Sequence, residues 1–337
     1  MLFFYRLIAF FFVILYFSSC KTDNEKSTDT DKKDPIVHTN TDSLNLADTL
    51  NKPYKKGDKL TYEQAYDRSL TLFKTPFVEQ YVKTRFGNAH VIISGPKNGK
   101  PLVLLHGMNA SSTMWYPNIK SLSEHYRVYA IDCFLEPGKS QCVGEVSGMK
   151  DIISWYFEVF DQLHLTKFDL VGASRGGWLS VNIALHSGSR INKLVLLSPA
   201  QTFGIIKPGL DIFSNINYSI NPKRENLRDV LETMSSNVDS ISQIFINQYY
   251  LATTKAVIDS DIFKMQPFSH KELKSLTMPV LVLIGDNDII NGDLNLSRAK
   301  RLCCNVRTGT ISHAGHFLSI DQPAVVNKKI LDFLDKE

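Results

Sequence analysis

Chemistry could begin at Ser174, which stands in the run Gly172-Ala173-Ser174-Arg175-Gly176. A serine hydroxyl is a weak nucleophile until a base takes its proton, and that base needs an acid to orient it. Both residue types follow in the chain, at Gly285-Asp286-Asn287-Asp288 and at His313-Ala314-Gly315-His316. Asp288 and His316 are the leading choices for acid and base, with Asp286 and His313 as the alternatives. A serine pushed out on a sharp turn between strand and helix holds strained torsions. Gly172 and Gly176 then leave room where the two elements approach. Such a turn aims the first helical N–H groups, that of Arg175 among them, at an incoming oxyanion. A second donor is expected from Leu104-Leu105-His106-Gly107-Met108, where Gly107 permits tight backbone, Met108 supplies the N–H and His106 braces the loop. The side chain of Arg175 has three readings: a pair with a carboxylate such as Glu136, a contact to a substrate anion, or solvation. As a cation in a first helical turn it opposes the helix dipole by roughly 0.3–1 kcal/mol.

These residues need rigid elements behind them. The runs 101–106 (PLVLLH), 127–133 (RVYAIDC), 168–173 (FDLVGA), 193–197 (KLVLL) and 279–285 (PVLVLIG) are rich in Val, Leu and Ile. Strands buried on both faces of a parallel sheet read this way. Weaker strands are expected at 90–94 and 306–311. Between them lie helical patterns, the clearest being the stripe Ile152, Tyr156, Val159, Phe160 and Leu163. Alternation of this kind implies an α/β class with a mostly parallel, doubly wound sheet. Ser174 then sits where a buried strand meets a helical run (Trp178, Val181, Leu185), and Asp288 follows the end of another strand. About eighty residues between Ser198 and Met278 lack a convincing core strand, and an excursion that long is read as a mostly helical cap at about 201–277.

Composition narrows the classes. The 337 residues carry 38 Lys+Arg against 34 Asp+Glu, a net charge of +4 with no long basic block, so no nucleic-acid partner is expected. Five cysteines cannot make a disulfide-dense scaffold. His313 and His316 lack the Cys or carboxylate cluster that would complete a metal site, and the chemistry needs no cofactor. Pro137-Gly138-Lys139-Ser140 resembles the end of a phosphate-binding loop, but Cys133 stands where that motif needs glycine. His38, His125, His164, His186 and His270 read as surface or packing residues.

The amino terminus reads as an address. Arg6 precedes the apolar stretch Leu7–Phe17, which as a helix would span about 16 Å against about 30 Å of bilayer hydrocarbon. Residues 1–19 are therefore expected to be a secretory signal peptide. Ser18-Ser19-Cys20 resembles a bacterial lipobox, with Cys20 as the lipidated residue. Residues 21–58 are rich in Lys, Asp, Thr and Asn and have no aromatic before Tyr54. They read as a flexible tether with a reach of about 30–35 Å. The expected product is a lipoprotein facing outside the cytoplasm, with its globular domain at 59–337. In an oxidising compartment Cys133 and Cys142 are a candidate bridge.

Taken together, HG at 106–107, GxSxG at 172–176, GDND at 285–288 and AGH at 314–316 resemble an α/β-hydrolase. More narrowly, Thr84-Arg85-Phe86-Gly87, Ile93-Ser94-Gly95-Pro96, Ser111-Ser112-Thr113-Met114-Trp115-Tyr116-Pro117-Asn118-Ile119, Ser198-Pro199-Ala200 and the run 316–323 (HFLSIDQP) are similar to the Bacillus carboxylesterase NP (naproxen esterase) group. That resemblance implies an α/β-hydrolase fold with a cap inserted late in the sheet, and a serine carboxylesterase acting on small-molecule esters, arylpropionates included. The family's Ser–acid–His set falls on Ser174, Asp288 and His316. This chain departs from the group at Arg175, where its members carry an apolar residue, and at Asp288, where they carry Glu. Alternatives on the same triad are a cofactor-free haloperoxidase or perhydrolase and a C–C bond hydrolase; a binding lipoprotein that keeps only the fold is the non-catalytic one.

Overall fold

A computed structural model describes residues 36–38, 60–255 and 265–336. In chain order the strands are β1 (Ile36–His38), β2 (Phe77–Thr84), β3 (Gly87–Ser94), β4 (Lys100–Leu105), β5 (Tyr126–Ile131), β6 (Phe168–Ala173), β7 (Ile191–Leu197), β8 (Val280–Gly285) and β9 (Val306–Ile311). The helices are α1 (Tyr62–Leu70), α2 (Ile119–Ser123), α3 (Met149–Gln162), α4 (Arg175–His186), α5 (Leu210–Ile220), α6 (Leu227–Met234), α7 (Gln243–Lys255), α8 (His270–Lys274), α9 (Asp293–Leu302), α10 (Leu318–Asp321) and α11 (Pro323–Leu334).

The strands form one sheet in the order β1-β2-β3-β5-β4-β6-β7-β8-β9. From β5 to β9 every pairing is parallel, whereas β1, β2 and β3 run antiparallel at one edge. β6 and β8 are buried along their whole length, because helices cover both faces of the sheet. Successive residues point to opposite faces. Leu170 therefore joins the cluster that holds Trp155, Tyr156 and Phe160 of α3, while Val171 joins the one that holds Tyr66 of α1 and Ile330 of α11. The aliphatic runs of the sequence fall on β4 to β8, and the stripe from Ile152 to Phe160 is the buried face of α3.

Two strands escaped the sequence reading. β2 mixes Glu79, Gln80 and Lys83 with its apolar residues, so composition hides it, yet it pairs with β3 along its full length. The expected signal peptide at 1–19, Cys20 and nearly all of the tether lie outside the described residues. Within the tether, Ile36–His38 form β1, with Val37 opposite Val78. Backbone pairing with a sheet edge needs little apolar surface, so a polar composition does not exclude it. Between β7 and β8 the described residues carry the helices of the expected cap, α5 to α8, and no strand. Residues 256–264 lie outside the described ones.

Candidate active site

Ser174 occupies the turn from β6 into α4 with φ 52° and ψ −118°, backbone that a side-chain-bearing residue adopts only under constraint. The constraint comes from its neighbours. Its N–H donates to Leu197 O at 2.9 Å, and its carbonyl accepts from Gly177, Trp178 and Ala200. A side chain at Gly172 would run into Gly176 O and Ser180 Oγ, and one at Gly176 into Leu105 O, so both glycines are needed for close approach. The turn leaves the hydroxyl partly exposed at the carboxyl end of the sheet.

There the structure gathers the residues singled out in the sequence. His316 Nε2 lies 2.8 Å from Ser174 Oγ, and His316 Nδ1 lies 2.9 Å from Asp288 Oδ1. A carboxylate only accepts, so Nδ1–H donates to Asp288 and Nε2 is left to accept the serine proton. Asp288 follows β8 and His316 follows β9; both are buried. Burial opposes the charge on Asp288, but the His316 ring beside it and the hydrogen bonds from His316 and Asn291 hold its carboxyl below the usual range. The N–H groups of Ile290 and Asn291 donate to its Oδ1, and Asn291 Nδ2 donates to its Oδ2.

The alternatives Asp286 and His313 are exposed and stand outside this relay. Asp286 accepts from the N–H groups of His313 and Ala314 at 3.0 Å each, and so ties the loop that carries His316 to the end of β8.

Met108, the expected second oxyanion donor, lines a cavity beside Ser174. His106 Nε2 accepts from Cys133 N–H at 2.9 Å, which leaves Nδ1–H to donate to Gly107 O at 2.8 Å. Burial pushes the imidazole pKa down, consistent with that neutral form. A trans peptide points C=O and N–H in opposite directions, so holding Gly107 O turns the Met108 N–H away from His106. Gly107 itself approaches the serine so closely that an added Cβ would lie 3.3 Å from Ser174 Cβ.

Arg175 is neither solvated nor alone. Its Nη1 lies 3.0 Å from Glu136 Oε1, and both side chains are 5% exposed. Glu136 Oε2 accepts from Asn109 N–H at 2.9 Å. One carboxylate thus links the first residue of α4 to the loop after Met108, a link of which sequence reasoning supplied only the Arg175–Glu136 half.

Other contributors were missed. His90 is buried between Glu79 and Asp132 at 2.9 and 3.0 Å, and Asp132 also accepts from Ser112 N–H at 2.7 Å. Lys139, in the phosphate-loop lookalike, pairs with Asp67 at 2.7 Å and donates its N–H to Asp132. The signal was present: Asp132 follows a buried strand just as Asp288 does. Cys133 is a buried free thiol whose pKa burial raises to about 11, while Cys142 lies at the surface, so the candidate bridge is not formed.

The cavity has a volume of about 460 Å³. Ser174, Met108 and His316 lie on its wall, and Phe213, Ile216 and Tyr249 of the cap make much of the rest. Asp321 and Gln248 are among the buried residues that join cap to sheet domain. Asp321 accepts from Gly315 N–H at 2.8 Å and from Ser236 N–H at 3.0 Å. Gln248 of α7 accepts from Thr113 Oγ1 at 2.7 Å and donates to Ser111 Oγ at 2.9 Å.

A family model described as the alpha/beta hydrolase fold matches residues 100–323. The chain belongs to the alpha/beta hydrolase family. Among relatives of this α/β-hydrolase, the uncharacterized carboxylesterase nap of Bacillus subtilis is 34% identical, over 85% of this chain and 96% of its own. Carboxylesterase YbfK of the same organism is 33% identical, over 82% and 94%. The crystal structure of naproxen esterase (carboxylesterase NP) from Bacillus subtilis superposes with a TM-score of 0.76 at 32% identity, covering 84% of this chain and all of that one (100%). The protein is a serine hydrolase.

Proposed function

We propose that this α/β-hydrolase is a carboxylesterase that cleaves small-molecule esters through an acyl-enzyme on Ser174. The observation that carries the reading is the hydrogen-bonded line Ser174–His316–Asp288 opening on an apolar cavity of about 460 Å³. The carboxylesterase relatives support it.

Ser174 Oγ attacks the acyl carbon as His316 Nε2 takes its proton, and Asp288 stabilises the imidazolium that forms. The carbonyl electron pair moves to oxygen, where the N–H groups of Met108 and Arg175 receive it. The intermediate collapses as His316 hands its proton to the leaving alcohol. Water, deprotonated by the same imidazole, then releases the acid and restores the serine. No step requires a cofactor.

We place the enzyme outside the cytoplasm, anchored through a lipid on Cys20; Arg6, the apolar run Leu7–Phe17 and the Ser18-Ser19-Cys20 sequence support this. A fluorophosphonate probe should label the wild type and not Ser174→Ala, and the variant should lose at least ~10³-fold in kcat on short acyl esters while its melting temperature changes little. Labelling of folded Ser174→Ala, or full esterase activity in it, would refute the catalytic reading. Tritiated palmitate should mark the wild type and spare Cys20→Ala; equal incorporation into both rules the anchor out.

A further inference from the structure

The cap carries its apolar residues on the wrong side for an ordinary surface helix. In the stretch 205–220, Leu210 is 89% exposed, Ile205 72% and Phe213 61%, and Ile216 and Ile220 are exposed with them. Positions 210, 213, 216 and 220 follow helical spacing and make one stripe along α5. The opposite side holds Tyr218, the buried residue of this helix, with Ile212 and Asn215 half-buried. Scattered exposed apolar residues are normal on proteins, but a continuous apolar helix face marks a contact surface.

Its surroundings indicate what it contacts. Phe213, Ile216 and Ile220 also line the cavity that holds Ser174, so the outer face runs without interruption into the active-site mouth. The chemistry flanking the stripe is basic: Lys207 lies before α5, Lys223 and Arg224 lie after it, and Asp211 is the sole acidic residue from 205 to 224. Lys207 and Lys223 are exposed. An apolar helical face with cations at both ends suits the boundary between acyl chains and anionic headgroups.

We propose that the α5 face docks on an anionic lipid bilayer, with Ile205, Leu210 and Phe213 in the acyl region and Lys207 and Lys223 among the headgroups. Docked this way, the cavity mouth opens toward the lipid phase, and esters dissolved in the bilayer reach Ser174 without crossing water. The contact depends neither on the ester chemistry nor on a lipid at Cys20, and its test is independent of both.

Full-length protein carrying Leu210→Trp, and a second form carrying Val325→Trp on α11, would be mixed with phosphatidylcholine vesicles, with and without phosphatidylglycerol, containing brominated acyl chains. The native tryptophans Trp115, Trp155 and Trp178 are buried and contribute a constant background. The Leu210→Trp form should blue-shift and be quenched, more so with phosphatidylglycerol present, while the Val325→Trp form keeps its emission. An anchor alone holds the domain nearby but quenches neither position. Lys207→Glu with Lys223→Glu should remove the preference for phosphatidylglycerol. Absence of quenching in the Leu210→Trp form overturns the proposal. So does a lipid-free dimer of the wild type that Leu210→Asp dissolves in sedimentation, because the occupant is then a second copy of this chain.

Discussion

Asp288 and Glu136 are buried carboxylates near the same serine, and their partners give them different tasks. Asp288 accepts from the imidazole that faces Ser174, so Asp288→Asn keeps the shape but offers an N–H where His316 needs an acceptor. The ring then favours the wrong tautomer. A fall in kcat of about 10³–10⁴-fold on a soluble ester, with little change in KM, is expected; near-normal turnover would move the acid elsewhere. Glu136 spans Arg175 and the backbone of Asn109. Glu136→Ala removes a charge-assisted hydrogen bond to a buried guanidinium, a loss of roughly 1.5–3 kcal/mol, and Glu136→Leu combined with Arg175→Leu should cost less than the two single changes summed. Urea midpoints of the single and double variants decide this, and simple additivity would show that the pair is not coupled. The residue types of the triad were legible from their spacing. The reading put Asp288 ahead of Asp286 but left both open, because both follow the same strand and only folding shows which one turns inward.

At the scale of elements, the turn between β6 and α4 depends on close packing that two glycines allow. Gly172→Ala must displace α4 or the strand, at a cost of about 1–3 kcal/mol or more. A thermal melt should show the loss together with reduced fluorophosphonate labelling; an unchanged melt would mean that the turn has slack. The strand–turn–helix passage was readable because β6 is a buried, mostly apolar strand and its motif is local. β2 was not, since a strand that buries Glu79 against His90 and Lys139 looks polar in one dimension. The length of the strandless excursion indicated a helical cap but could not say which face of α5 meets solvent. Contacts from elsewhere, such as those of Asp321 and Gln248, set how the cap lies.

Over the whole molecule, buried carboxylates couple stability to pH in opposite directions. Burial raises Asp169 on β6 to about 6, an effect that Lys193 and Lys100 only partly offset. The unfolded chain releases that proton near pH ~4. Between ~4 and ~6 the folded form therefore holds a proton that the unfolded form has lost, and Asp169 makes stability fall as pH rises through that window. Asp169→Asn should remove this decline, so its stability relative to wild type rises from about pH 4 to about pH 7 in urea titrations; a constant difference would refute the assignment. Glu79 works the other way. Burial opposes its charge, but the His90 hydrogen bond and Lys139 hold its carboxyl near 2, so its contribution is present above ~4.3 and lost as pH falls toward 2. By itself the sequence determined the parallel sheet, the sharp turn at Ser174, the presence of an acid and a histidine after later strands, and the long helical insertion. Each of these is written in neighbouring residues, through aliphatic runs, glycine spacing and the length of a stretch without core strands. Only the tertiary structure decided that His316 meets Ser174 across 142 positions, that Arg175 faces Glu136 across 39, and that α5 turns its apolar stripe outward. Those outcomes depend on how distant elements pack, and local spacing does not encode that packing.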